Sequence, residues 1–318
     1  MNWKLLSMVQ RACASVPFGR QELYYTLQKT FGRVRRHDTM AYFREVAGMV
    51  AQLVEAGVPI RGARVMEVGT GLRVDMPIGF YLCGAASVAT FDRNRYLRSE
   101  LVGETLAFIR ANPAAIHRAF AGVAVAELLE ARLAALCRIT TSAELFRVVP
   151  IVYRAPADAA RTGLPDDSID AHVSFTVFEH IPGDVLVGIL TEANRLLSAS
   201  GVALHHVDMS DHFSHHDPRI SAINFLRFSE VEWQRYAGNQ FAYHNRLRAR
   251  DYRTIYAASG QRIVGWNPSR NEDCLRVLAW GFQLAPDYRS IPAEELCINQ
   301  VRILSRPKAV CATALPSS

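Results

Sequence analysis

Glu67 stands two residues ahead of the turn Gly69-Thr70-Gly71, and Asp92 ends the next short apolar run, about 20 residues on. Glycines let a backbone turn tightly and approach a ligand with no Cβ in the way. A carboxylate at the tip of a second strand suits the two hydroxyls of a ribose. That logic fits any adenosine-containing cofactor. Two details narrow it. A carboxylate in the mouth of the loop repels a pyrophosphate and attracts an ammonium. The third glycine of a GxGxxG run is also missing, because Val74 occupies its place.

A second group with chemistry is the run from His205 to Asp217, which holds five of the ten histidines. Such a run can supply a general base, orient hydroxyls or bind a divalent cation. It can equally be the polar surface of a lid. It lacks a fixed ligand spacing such as HExxH, so no metal is assigned. Asp208 and His212 are the candidate bases. Asp208 is expected where a strand ends, and His212 one turn further on. His180, after an earlier strand, is a candidate for contact with the acceptor; it can instead cap the following helix through a backbone bond.

Positioning these groups requires strands that alternate with helices. Residues 38–56 carry apolar side chains at helical spacing, with Asp38 able to cap and Gly57 to stop the helix. Strands are expected at 64–68, 87–91, 150–154, 171–175, 201–207, 261–266 and 299–304, and helices at 77–83, 184–197 and 251–259. The Ala- and Leu-rich stretch 99–146 reads as an insert of two or three helices. The polar, aromatic stretch 208–250 is too long for an ordinary connection and reads as a lid or substrate region. Within it, Asn224-Phe225-Leu226-Arg227 and Tyr243-His244-Asn245-Arg246 mix rings, amides and Arg, which suits sugars, carboxylates, phosphates or simple lid packing. Trp233 and Tyr236 sit at helical spacing and are expected to be packed. The division expected is an N-terminal helical appendage, 1–60, and one α/β domain, 61–318. That domain is a Rossmann-like, seven-stranded, mostly parallel sheet with helices on both faces. Ligands in such sheets sit at the carboxyl ends of the strands.

With these elements in place, the chain resembles the class I S-adenosylmethionine-dependent methyltransferases, in the type 11-like branch. The resemblance rests on three motifs in order: the glycine turn with Asp92, the loop Leu164-Pro165-Asp166-Asp167-Ser168-Ile169-Asp170, and the strand end Val173-Ser174-Phe175-Thr176-Val177-Phe178-Glu179-His180-Ile181. It covers residues 60–210 well and 251–305 more loosely. It implies S-adenosyl-L-methionine as cofactor. Glu67, Gly69 and Gly71 would line its methionine and ribose, and Asp92 would bind the ribose hydroxyls. Asp158 and Ala159 would face the adenine amine, and Phe175 and Thr176 would lie along the cofactor. The chain departs from the pattern at Arg73, where many members have a further glycine, and in a longer gap between Asp158 and Leu164.

The sulfonium of that cofactor is already activated, so the protein must align the acceptor and exclude water. A hydroxyl acceptor further needs a base or a metal. The His/Asp run therefore favours O-methylation of a small molecule or glycan. Similarity of texture to methyltransferases from polysaccharide and glycolipid settings points the same way. An apolar pocket mouth would favour a C- or N-methyltransferase of a lipid or quinone-like acceptor. A blocked methionyl site would favour a non-catalytic binding protein.

With 318 residues, 50% of them hydrophobic, the chain can bury a sizeable core. Its charge of +6 is spread out, with only short basic runs at 33–36 and 246–250. No nucleic-acid partner is expected, since there is neither a basic stripe nor a base-flipping motif. Six scattered cysteines, Cys311 among them, suggest reduced thiols and a cytoplasmic protein. Residues 1–18 read as an amphipathic helix resting on the protein or peripherally on a membrane.

Overall fold

The computed structural model describes residues 1–32 and 34–308. Arg33 and Cys311 lie outside the described residues. The chain begins with α1 (Trp3–Ser15), α2 (Arg20–Phe31) and α3 (Thr39–Glu55). Then come β1 (Arg64–Val68), α4 (Asp75–Cys83) and β2 (Ser87–Phe91). An insert follows, made of α5 (Ser99–Ala111), α6 (Pro113–Phe120), α7 (Ala126–Arg138) and α8 (Ser142–Val148). The chain continues through β3 (Ile151–Arg154), β4 (Ile169–Phe175), α9 (Gly183–Leu196), β5 (Leu197–Asp208), α10 (Glu230–Ala237), α11 (Ala249–Ala258) and β6 (Gln261–Arg270). It closes with α12 (Glu272–Ala279), α13 (Ala293–Leu296) and β7 (Ile298–Pro307).

The strands form one seven-stranded sheet in the order β3-β2-β1-β4-β5-β7-β6. The first five are parallel, and β7 runs antiparallel between β5 and β6. Strand order reverses between β1 and β4, the point at which open α/β sheets bind ligands. Side chains alternate across the sheet. Val65 and Val173 therefore join the core under α3, α4 and the insert, while Met66 and Val207 join the core under α9 and α11.

Asp38 caps α3 through its carboxylate, accepting from Ala41 N at 3.1 Å. The buried face of α3 includes Phe43, Val46, Val50 and Leu53. It meets α4 closely because Gly79 has no side chain; a Cβ there would stand 2.8 Å from Val46 Cγ2. α3 thus shares the core of the sheet.

Several elements differ from their expected form. The insert has four helices rather than two or three. Pro113 starts a new helix at the position it tolerates best, and the uniform Ala/Leu composition conceals such breaks. α4 begins at Asp75, two residues before the expected start, and β5 begins at Leu197, directly after α9. The early part of β5 pairs with Ile169 across an irregularity in register. α12 and α13 were not legible in the sequence.

Most of the buried apolar residues of 208–250 pack with α1, α12 and α13 into a third apolar cluster, while Met209 and Ala249 join the core under α9 and α11. Trp3 carries this contact: it is buried against Phe213 (5.6 Å between ring centroids) and Tyr236 (4.8 Å). Trp233 is packed in the same cluster, as its spacing implied. α1 therefore lies against residues 208–250. The five described cysteines are free. Among the described residues, no helix is long and apolar enough to cross a membrane.

Candidate functional site

The turn after β1 is built from two glycines in the left-handed region. Gly69 has φ of +88°, and a Cβ there would stand 2.7 Å from Val177 Cγ1, with Cγ2 closer still. Gly71 has φ of +66°, yet a Cβ there would meet nothing within 4 Å. One glycine thus seats the turn on the chain after β4, and the other faces open space. Gly71 N donates to Asp92 Oδ2 at 2.9 Å, and Asn94 N donates to Oδ1 at 3.2 Å. Asp92 is held at the tip of β2 by these bonds, and burial raises its pKa.

Glu67 lies opposite Thr90 in the β1–β2 register. Thr90 Oγ1 donates to its Oε2 at 2.5 Å, and Thr70 Oγ1 lies 2.5 Å from Thr90 Oγ1. Burial pushes the Glu67 carboxyl up to about 8; the Thr90 bond opposes this, while Asp92 and Asp75 add to it. A buried carboxyl among carboxylates is a setting in which a ligand ammonium is favoured. The open side of Gly71, the tethered Asp92 and the buried Glu67 fit a ribose and an amino-acid group together. Nearby, Asp75 in the first turn of α4 is bonded to Thr105 Oγ1 (2.6 Å) and His37 Nε2 (2.5 Å). No sequence signal drew attention to His37.

The remaining expected cofactor residues lie on neighbouring segments. Ala157 N donates to Asp92 O at 2.9 Å, which sets the 155–160 turn beside the β2 tip. Asp158 is exposed and accepts from Ala160 N at 2.9 Å, and Ala159 is buried. Phe175 ends β4, with its ring 5.0 Å from His206 and 5.6 Å from Tyr42 of α3. Thr176 has φ of +51°, and its N donates to His206 O at 2.9 Å. Arg73, the departure from the family pattern, turns onto α5. Its guanidinium donates to Leu101 O at 3.0 Å and pairs with Glu104 at 2.5 Å.

Immediately after Val177, the short turn Phe178–His180 carries Glu179 and His180. Asn245 clamps this turn: its Nδ2 donates to Phe178 O and Ile181 O, both at 2.8 Å, and its N donates to Glu179 O at 2.8 Å. The His180 ring lies 4.9 Å from that of His212, and His180 Nδ1 is 2.9 Å from Tyr243 O. Asp208 accepts from Ser210 N (2.9 Å) and Ser210 Oγ (2.6 Å). His215 Nε2 and His212 Nε2 stand 3.7 and 3.8 Å from Asp208 Oδ2. His212 stacks between His215 (5.2 Å) and His244 (5.1 Å). Burial pulls His244 down to about 3, so its imidazole is neutral.

His180, Asp208 and His212 are thus brought together, and Glu179, His215 and His244 join them. The histidine run itself is split. Strand alternation sends His205 to one face, against His172 (2.9 Å) and Tyr256 OH (2.5 Å). It sends His206 to the other face, against Glu45 (3.1 Å). Both are structural partners of the sheet. His244 was legible only as part of a mixed polar stretch, because His212, the ring it stacks on, lies 32 residues away in the chain.

The family model described as "Methyltransferase domain" matches residues 119–205, from the end of α6 into β5. No curated protein matches the sequence. Among solved structures, the chain is similar to an S-adenosylmethionine-dependent methyltransferase from Mesorhizobium loti. The identity is 14% and the TM-score 0.44, over 80% of this chain and 96% of that one. It is similar to a methyltransferase of the same dependence from Leishmania major at 11% identity and TM-score 0.44, over 96% of this chain and 83% of that one. It is also similar to geranyl diphosphate C-methyltransferase from Streptomyces coelicolor, solved with Mg2+, geranyl diphosphate and S-adenosyl-L-homocysteine. There the identity is 10% and the TM-score 0.43, over 93% of this chain and 87% of that one. Residues 119–205 thus match a methyltransferase domain, in a chain whose sheet order sets the acid-tipped glycine turn at the point where strand order reverses.

Proposed function

We propose that the chain methylates a hydroxyl oxygen of a small molecule or a glycan. One observation carries this reading: Val177 packs on Gly69 of the cofactor turn and directly precedes the segment bearing His180, in contact with His212. In this reading, a polar, proton-accepting cluster adjoins the cofactor site. The cofactor supplies an electrophilic methyl group. In this reading, Glu67, Gly69, Gly71, Asp92, Asp158, Ala159, Phe175 and Thr176 hold the cofactor. Asp208, backed by His215, takes the acceptor's proton, with His212 and His180 orienting the hydroxyl. An apolar lipid or quinone-like acceptor would leave a histidine and carboxylate cluster of this density unused. The test is transfer of labelled methyl from S-adenosylmethionine to a panel of sugars, glycans and phenols. Methylation only of amines or carbon acids would overturn the choice of oxygen.

A peripheral membrane contact belongs to the same proposal. Leu5, Met8 and Val9 are exposed on the outer face of α1, near Lys4 and Arg11, a pattern suited to an anionic lipid surface. Co-sedimentation with phosphatidylserine vesicles tests it, and no sedimentation would remove it.

A further inference from the structure

We infer that Glu179, His180 and His212 form a binding site for a divalent first-row cation, zinc or manganese. The ion's role, holding the acceptor hydroxyl, rests on the oxygen-methylation reading; the site itself does not.

One ligand atom from each of these three residues lies within 4.8 Å of the others. Ligands of one such ion, at bond lengths of about 2.1 Å, stand about 3 to 3.5 Å apart. Small side-chain rotations close that difference. Two imidazoles and one carboxylate are a set that borderline divalent ions favour, and three protein ligands leave positions open for an acceptor.

The surroundings are those of a supported site. Tyr243 O can only accept, so the His180 Nδ1 at 2.9 Å carries the proton and Nε2 keeps its lone pair. This carbonyl bond is the usual means of fixing a metal-binding imidazole. Asp208 Oδ2, 3.8 Å from His212 Nε2, is placed to orient the second imidazole. Glu179 is 2% exposed, and a buried carboxylate is stabilised by an adjacent cation. The Asn245 clamp on Phe178 O, Ile181 O and Glu179 O fixes the backbone that carries two of the three ligands.

The sequence showed no metal signature because the ligands come from two separate turns, Phe178–His180 and His212–His215. With an ion present, His212 is a ligand and Asp208 is the proton acceptor. The acceptor O–H bond breaks and its proton passes to Asp208. The oxygen then forms a bond to the methyl carbon as the carbon–sulfur bond breaks, leaving S-adenosyl-L-homocysteine. The cation draws charge from the hydroxyl and lowers its pKa.

The test uses the full chain, stripped with EDTA and then titrated with MnCl2, followed by electron paramagnetic resonance of free Mn2+ and by calorimetry, with ZnCl2 as competitor. One saturable site per chain is expected, displaced by zinc. Glu179→Gln and His180→Ala should each weaken it by at least tenfold, a loss on the order of that seen when metal-site partners are removed. Binding of S-adenosyl-L-homocysteine reports that each variant is folded. His180 is exposed, so its variant serves if Glu179→Gln does not fold. No saturable site in the unaltered chain, or a site unchanged by the folded variants, would overturn the inference. Tight cation binding without methylation of any hydroxyl would instead count against the acceptor reading alone.

Discussion

Gly69 and Val177 are in contact, and that contact joins the turn after β1 to the chain after β4. The two loops flank the point where strand order reverses. Position 69 has no room for a side chain, and its φ of +88° excludes most residues independently. The approach sets the segment that bears Glu179 and His180 beside the turn after β1.

Gly69→Ala should therefore destabilise the fold by about 2 kcal/mol from backbone strain alone, and further through overlap with Val177. Adding Val177→Ala should restore the overlap part and leave the strain. Gly71→Ala differs: its Cβ enters open space, so stability should change less than cofactor affinity. Urea unfolding and calorimetry on the four proteins separate the two effects.

Asp92→Ala removes the acceptor of the Gly71 N–H as well as the proposed ribose anchor. Cofactor affinity should fall by about 1–3 kcal/mol. Unchanged affinity, measured by calorimetry, would mean that the ribose lies elsewhere.

Glu67 makes the pH dependence specific. Its folded pKa, about 8, lies above the ordinary carboxyl value. Between those values the folded chain holds a proton that the unfolded chain releases, so this group's contribution to stability falls as pH rises through the window. Glu67→Gln should flatten the curve between pH 5 and about 8, measured as the difference between the two proteins' unfolding free energies. If a ligand ammonium meets Glu67, cofactor binding at pH 7 should release close to one proton. The dependence of calorimetric enthalpy on buffer ionisation reads that number, and Glu67→Gln should abolish it.

Asp208→Asn and His212→Ala should lower kcat by about 100-fold or more if they move or orient the acceptor's proton. Cofactor affinity should stay nearly constant. Full turnover in both variants would remove them from the chemistry.

The elements that position the cofactor turn were readable because local signals agree there. Arg64–Val68 and Ser87–Phe91 are short apolar runs closed by turn residues, and Asp38 precedes a clear helical period. Asp208 was placed correctly, since a strand end can be read from where apolar alternation stops. The histidine run misled in part, because a cluster in sequence is not a cluster in space. Strand alternation parts His205 from His206, and the fold brings His244 and Glu179 to His212 from other segments. Likewise, α1 could not be placed from its own sequence; its Trp3 finds partners more than 200 residues away.

The most direct test of the account is a titration of the purified full chain with S-adenosyl-L-methionine and S-adenosyl-L-homocysteine, followed by heat and by melting temperature. One site per chain with micromolar affinity is expected, with stabilisation of about 2.7 kcal/mol at a hundredfold excess over Kd. Neither heat nor a shift in melting temperature with either ligand would contradict the assignment of the Gly69–Asp92 region as a cofactor site.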